Sequence, residues 1–144
     1  MNSNCQIVIA EDNPADVLVV RMALEESVPG FELKVFEDGS SVITYVDELE
    51  RQGGRWPDLM LLDLNMPKAG GLEVMQRLRN CPASVSTPVI IITSSSRPKD
   101  REQALALGAA HYFLKPDDFD DFLKIGDVVN ETLKSRVING NSGV

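Results

Sequence analysis

Hydrophobic and polar positions alternate along this chain in two rhythms, one of strands and one of helices. Residues 6–11 read as a buried strand, and Asn13-Pro14 breaks it. Asp12 or Asn13 can then cap a helix over about 15–27, with Val17, Val20, Met22, Leu24 and Val28 on its apolar face and Pro29-Gly30 at its end. FELKVF, residues 31–36, alternates with Phe31, Leu33 and Val35 on one side, as expected of an edge strand. Asp38-Gly39-Ser40 starts a helix over about 41–51 with Val42, Tyr45, Val46 and Leu49 inward. A strand over 58–63, a turn-rich loop and a helix over about 72–79 follow. Next come a strand over 89–93, a helix over about 99–107, a strand over 111–114 and a last helix over about 119–134. Strands and helices alternating five times imply right-handed crossovers and a parallel sheet covered by helices on both faces, an α/β fold.

The strands end in a telling way. IVIA runs into Glu11-Asp12, LMLL into Asp63, VIII into Thr93, and YFL into Lys115. In an open parallel sheet the carboxyl ends of the strands form the ligand crevice. Three carboxylates, one hydroxyl and one ammonium therefore converge on one rim, a composition suited to a divalent metal and a phosphoryl group. Clustered carboxylates repel unless a proton or a cation intervenes. A lysine at the end of an apolar strand needs a partner for its charge.

Composition narrows the field. The chain has 144 residues, enough for one domain with a real core, organised as a short extension over 1–5, a domain over 6–134 and a flexible tail over 135–144. Its 22 acidic and 14 basic residues give a net charge of -8, and no basic cluster marks a nucleic-acid surface. Cys5 and Cys81 alone make neither a disulfide framework nor a metal motif. The amino terminus lacks a secretory signal, and no apolar run is long enough to span a bilayer. The expectation is a reduced, cytoplasmic protein without membrane or nucleic-acid partners.

The acidic pair Glu11-Asp12, LLDLNMP around Asp63, IITS around Thr93 and FLKP around Lys115 together resemble the receiver domain of two-component response regulators, over about residues 5–134. Thirty positions separate Asp63 from Thr93 and twenty-two separate Thr93 from Lys115, as in chemotaxis receivers. The resemblance implies a doubly wound, flavodoxin-like (βα)5 fold with strand order 2-1-3-4-5. It implies that Asp63 accepts a phosphoryl group from a sensor histidine kinase. Mg²⁺ would be held by Asp12, Asp63 and the backbone carbonyl of Asn65, with Glu11 acting mainly through water. Lys115 and Thr93 would contact the phosphoryl oxygens, and Tyr112 would turn inward as the threonine moves. Asn65 and Ser95 occupy positions that tune phosphoryl lifetime in this family. The Lys115–Pro116 bond is typically cis in the family, though the sequence admits either isomer.

Gly70 stands where many receivers carry Asp, and the Gly70-Gly71 pair should loosen its loop. The segment around Gly53-Gly54-Arg55-Trp56 is longer than in the smallest receivers, with Trp56 packing beneath it. His111, the only histidine, begins a strand and reads as structural.

EDNPAD and KPDDFDDF are similar to stand-alone receivers serving cyanobacterial-type phytochrome kinases. That subgroup implies a downstream effector or phosphotransfer partner, since no output domain is read after residue 134. For some members it implies homodimerisation through a face that would hold Phe113, Phe119 and Phe122. Two other readings compete. A haloacid-dehalogenase-like phosphatase would need a second Asp where Asn65 stands, and a receiver-like binding module would never turn over phosphate.

Overall fold

The computed structural model describes residues 4–142, and side chains through residue 135. Five parallel strands form one sheet in the order β2-β1-β3-β4-β5. They are β1 (Cys5–Ala10), β2 (Phe31–Phe36), β3 (Leu59–Leu62), β4 (Val89–Thr93) and β5 (His111–Leu114). The helices are α1 (Pro14–Ser27), α2 (Gly39–Gln52), α3 (Gly71–Arg79), α4 (Pro98–Ala106), α5 (Phe119–Phe122) and α6 (Ile125–Ser142), and a 3-10 turn spans Pro82–Ser86. This is the expected doubly wound, flavodoxin-like arrangement.

The period of two along each central strand divides the core. Val8, Ala10, Met60, Leu62, Val89 and Ile91 face α2, α3 and α4. Ile7, Ile9, Leu59, Leu61, Ile90 and Ile92 face α1 and α6. Strands covered on both sides have no polar face, which explains their unbroken apolar sequences. β2 is an edge strand as expected, but Val35 is 37% exposed, while Phe36 joins the α2 side of the core. Met22, expected inward, is 38% exposed; Ala23 takes its place between Val20 and Leu24.

Caps fix where two helices begin. Asn13 accepts a hydrogen bond from the Ala15 backbone at 2.9 Å with Pro14 in the first turn, so Asn13 rather than Asp12 caps α1. Asp38 accepts from the Ser41 backbone at 2.7 Å. The expected single last helix is two: α5 stops at Phe122, and Lys124, Gly126 and Asp127 donate to carbonyls three residues back. α6 then runs through Ser142, past the expected end at Lys134; of the expected tail, residues 143–144 lie outside the described residues, as do residues 1–3 of the amino-terminal extension.

The β3–α3 loop differs from expectation. The residues with positive φ are Lys68 (53°) and Ala69 (86°), not the glycines. Gly70 and Gly71 instead lie against backbone: a β-carbon on Gly71 would sit 2.5 Å from the Asp63 carbonyl oxygen, and one on Gly70 would strike that of Leu64. The pair permits close approach and tightens the loop rather than loosening it. Gly71 N–H also donates to the Leu64 carbonyl at 3.1 Å.

All peptide bonds among the described residues are trans, Lys115–Pro116 included, in contrast to the cis bond that the resemblance implied. Cys5 and Cys81 are not disulfide-bonded, and no described helix is long and apolar enough to cross a membrane.

Candidate functional site

The carboxyl ends of β1, β3, β4 and β5 assemble the expected residues. Glu11 and Asp12 directly follow β1; Asp63 follows β3; Thr93 ends β4; Lys115 follows β5. Ladder bonds set their levels. Glu11 N–H donates to the Phe36 carbonyl, Asp63 N–H to that of Ala10, and Lys115 N–H to that of Thr93.

Glu11, Asp12 and Asp63 each place a carboxylate oxygen within 4.8 Å of the others. Glu11 and Asp63 are buried, whereas Asp12 is exposed. Burial and the neighbouring Asp63 charge push the Glu11 carboxyl up to about 7, against the opposing pull of Lys115. Three hard carboxylates so close together suit a hard divalent cation, which would relieve their repulsion. A cleft lined by Glu11, Asp12, Pro14, Val17, Val35 and Glu37 opens beside them.

The Lys115 ammonium is the cation present. It donates to Glu11 Oε1 at 2.6 Å, to Asp16 Oδ2 at 2.9 Å and to Asp63 Oδ2 at 3.4 Å. Burial opposes its charge, but the bonds to Glu11 and Asp16 and the charge of Asp63 outweigh it, raising its pKa above the ordinary lysine value. The expected Lys115–Asp63 pair is therefore present, but it is the longest of three. Asp16 was missed by sequence reasoning. It lies in the first turn of α1, where an acid already has a plain explanation in the helix dipole.

Thr93 is fully buried, and its Oγ1 accepts from the Ser95 backbone at 3.2 Å. Ser95 Oγ donates to Asp100 Oδ2 at 2.6 Å, tying the β4–α4 loop to α4 and holding the Asp100 carboxyl below its usual range. Asn65 N–H donates to Asp63 Oδ1 at 3.2 Å, which orients the Asp63 carboxylate.

Tyr112 is half-buried. Its hydroxyl donates to the Ser95 carbonyl at 2.9 Å, and the Arg101 guanidinium lies 5.9 Å from the ring centroid. A hydrogen bond thus joins the tyrosine to the loop that follows Thr93. His111 is exposed at the start of β5, and Trp56 packs against the α2 side of the core.

Phe113, Phe119 and Phe122 do not share an open face. Phe122 is 6% exposed, and its ring centroid lies 6.1 Å from that of Phe113, within the α1–α6 side of the core. Phe119 alone of the three is open, at 47%. The alternation of β5 explains this, since Tyr112 and Phe113 must point to opposite sides.

Comparison with known proteins agrees with this geometry. The family model of the response regulator receiver domain matches residues 7–126. Response regulator Rcp1 of Synechocystis is 30% identical over 120 residues, spanning 83% of this chain and 82% of that protein. The crystal structure of the phosphorylated cyanobacterial phytochrome response regulator RcpA superposes with a TM-score of 0.82 at 28% identity, covering 92% of this chain and 96% of that one. The Mn²⁺-bound form of Rcp1 superposes with a TM-score of 0.77 at 28% identity, covering 86% of this chain and 90% of that one.

Proposed function

The chain belongs to the response regulator receiver family, and from that premise we propose that it is a signalling switch operated by phosphorylation of Asp63. It is homologous to single-domain phytochrome response regulators. The observation that carries the assignment of Asp63 is that it adjoins both a pair of carboxylates and an ammonium. The Glu11 and Asp12 carboxylates each bring an oxygen within 4.8 Å of it, and the Lys115 ammonium, also bonded to Glu11, is at 3.4 Å.

Asp63 Oδ attacks the phosphorus of a phosphohistidine on a sensor kinase. The new O–P bond forms as the P–N bond breaks, and the imidazole, already protonated on its other ring nitrogen, leaves neutral. Asp12, Asp63 and the backbone carbonyl of Asn65 would hold Mg²⁺, with Glu11 reaching it through water. Bound there, the metal offsets charge between the attacking carboxylate and the phosphoryl oxygens. Lys115 supplies a second positive charge beside Asp63. The Thr93 hydroxyl gives up the Ser95 backbone N–H to reach a phosphoryl oxygen. That movement perturbs the loop to which Tyr112 is bonded, so Tyr112 can pass the change to the α4–β5 surface.

A phytochrome-type sensor kinase fits the likeness to Rcp1 and RcpA. The partner that reads the switch is a downstream effector or phosphotransfer protein. A homodimer through the α4–β5–α5 face would rest on Leu105, Leu114 and Phe119, which are exposed there.

The test is intact mass after incubation with Mg²⁺ and acetyl phosphate. Wild type should gain about 80 Da, the mass of one phosphoryl group, in a bond labile to hydroxylamine as expected of an acyl phosphate. Asp63→Asn should gain nothing. Equal labelling of both proteins would refute the assignment.

A further inference from the structure

The Lys115 ammonium has three N–H donors, and three carboxylates engage them. The two short bonds go to Glu11 at 2.6 Å and Asp16 at 2.9 Å. The bond to Asp63, at 3.4 Å, is longer than a charge-assisted contact normally is. The lysine side chain is 10% exposed and the Asp16 side chain 21%, so the Asp16 pair is only partly screened by water. Asp16 projects from the first turn of α1, a helix that begins just after the acidic pair and is anchored there by the Asn13 cap. Its carboxylate therefore draws the ammonium toward α1.

From this we propose that Asp16 is a positioning residue that holds Lys115 off Asp63 and so restrains phosphorylation. The inference rests on the assignment of Asp63 as phosphoacceptor. Asp16 acts through Lys115, to which its carboxylate is bonded at 2.9 Å. The bond to Asp63 is the long one, so for the ammonium to close on a phosphoryl oxygen there it must move toward Asp63 and lengthen one of its two short bonds. Glu11 is buried at the strand end and follows the β1 ladder. Asp16 is more exposed, so water can take over its half of the pair. The Asp16 bond is the one that yields, and its strength sets how readily Lys115 turns to the transferring group. Removing the Asp16 charge should free that donor and speed transfer at saturating Mg²⁺.

The experiment is the initial rate of acetyl phosphate labelling, followed by intact mass at saturating Mg²⁺. It compares wild type, Asp16→Asn, Asp16→Glu, Lys115→Ala and the double variant Asp16→Asn/Lys115→Ala. Asp16→Asn should label about three- to tenfold faster, the size expected from releasing one charge-assisted bond at a partly exposed site. Asp16→Glu, which keeps the charge on a longer arm, should return the rate toward wild type. In the Lys115→Ala background, Asp16→Asn should change nothing further.

An equal acceleration with and without Lys115 would show Asp16 acting directly on the incoming anion and would overturn the proposal. An unchanged or slower rate in Asp16→Asn, with wild type labelling normally, would overturn it while leaving the phosphoacceptor assignment standing. If wild type takes no phosphoryl group from acetyl phosphate or from phosphoramidate, a P–N donor, both fail together. Melting temperatures of the variants separate a folding defect from a change in Lys115, since a destabilised Asp16→Asn protein would not label faster.

Discussion

Replacing Asp63 by Asn removes one carboxylate from a crowded site while nearly preserving its shape, and its effect on stability can be worked from distances. Asp63 attracts Lys115 at 3.4 Å, worth ~5 kcal/mol of Coulomb energy at an effective dielectric constant of ~20. It repels Glu11 across at most 4.8 Å, worth ~3.5 kcal/mol on the same footing. Repulsion from the exposed Asp12 is screened to ~1 kcal/mol or less. Attraction and repulsion therefore nearly cancel. Lys115 keeps Glu11 and Asp16, and the substitution also spares Asp63 the desolvation of its charge. In chelator, Asp63→Asn should be neutral or slightly stabilising, within about 1 kcal/mol, or roughly 3–4 °C in melting temperature for a chain of this size. Adding Mg²⁺ at a hundred times its dissociation constant should stabilise wild type by about 2.7 kcal/mol. The Asn variant, short of one of the proposed ligands, should gain far less. Differential scanning calorimetry with chelator and with Mg²⁺ makes the comparison. A loss above about 2 kcal/mol in chelator would show that pairing with Lys115 dominates and would refute the charge argument. Equal Mg²⁺ shifts in the two proteins would remove Asp63 from the metal site.

Other outcomes test the remaining structure. Phe122→Ala should lower stability by about 3–5 kcal/mol in urea, and Phe119→Ala by no more than about 0.5, because only the first ring is buried; equal losses would contradict the packing. Gly126→Ala should destabilise by about 1–2 kcal/mol in the same assay. A β-carbon there would lie 2.6 Å from Ser27 Oγ and 2.7 Å from the Ala23 carbonyl oxygen, and better helix propensity offsets only part of the strain. In chelator, stability should fall as pH rises from about 4.5 to about 7. The Glu11 carboxyl holds its proton more tightly folded than unfolded, so ionisation favours the unfolded chain across that window. Glu11→Gln should flatten that stretch of the pH profile measured by thermal melts.

Legibility followed the physics of each signal. β1, β3 and β4 could be read because burial on both faces leaves the unbroken apolar runs IVIA, LMLL and VIII, and the reactive residues stood out where those runs stop. The edge strands carry weaker signals. On β5 the alternation could have separated Tyr112 from Phe113, yet the likeness to dimerising stand-alone receivers grouped Phe113 with Phe119 and Phe122. The β3–α3 loop misled because glycine reports permissiveness, whereas Gly70 and Gly71 are required there by close backbone approach. The break between α5 and α6 follows from three-residue hydrogen bonds around Gly126, which no periodicity announces. Asp16 lacked a signal of its own because a helix-start acid is ordinary; its meaning appears only when Lys115 is folded onto it from ninety-nine residues away.

Lys115 also explains how a local charge event can reach a surface. β5 is a half-exposed edge strand that pairs only with β4, so its carboxyl end has few other restraints. Through Lys115 that end is fastened to Glu11 after β1, Asp16 on α1 and Asp63 after β3. A new anion on Asp63 would compete for the same ammonium and draw it away from Glu11 and Asp16. On the other side of β5, the Tyr112 hydroxyl holds the Ser95 carbonyl, and Ser95 holds Asp100 of α4. The strand that carries Lys115 is thus bonded on one side to the charge cluster and on the other to the start of α4. Redistribution of one lysine's hydrogen bonds loads both connections at once, without any need for the rigid central strands to move.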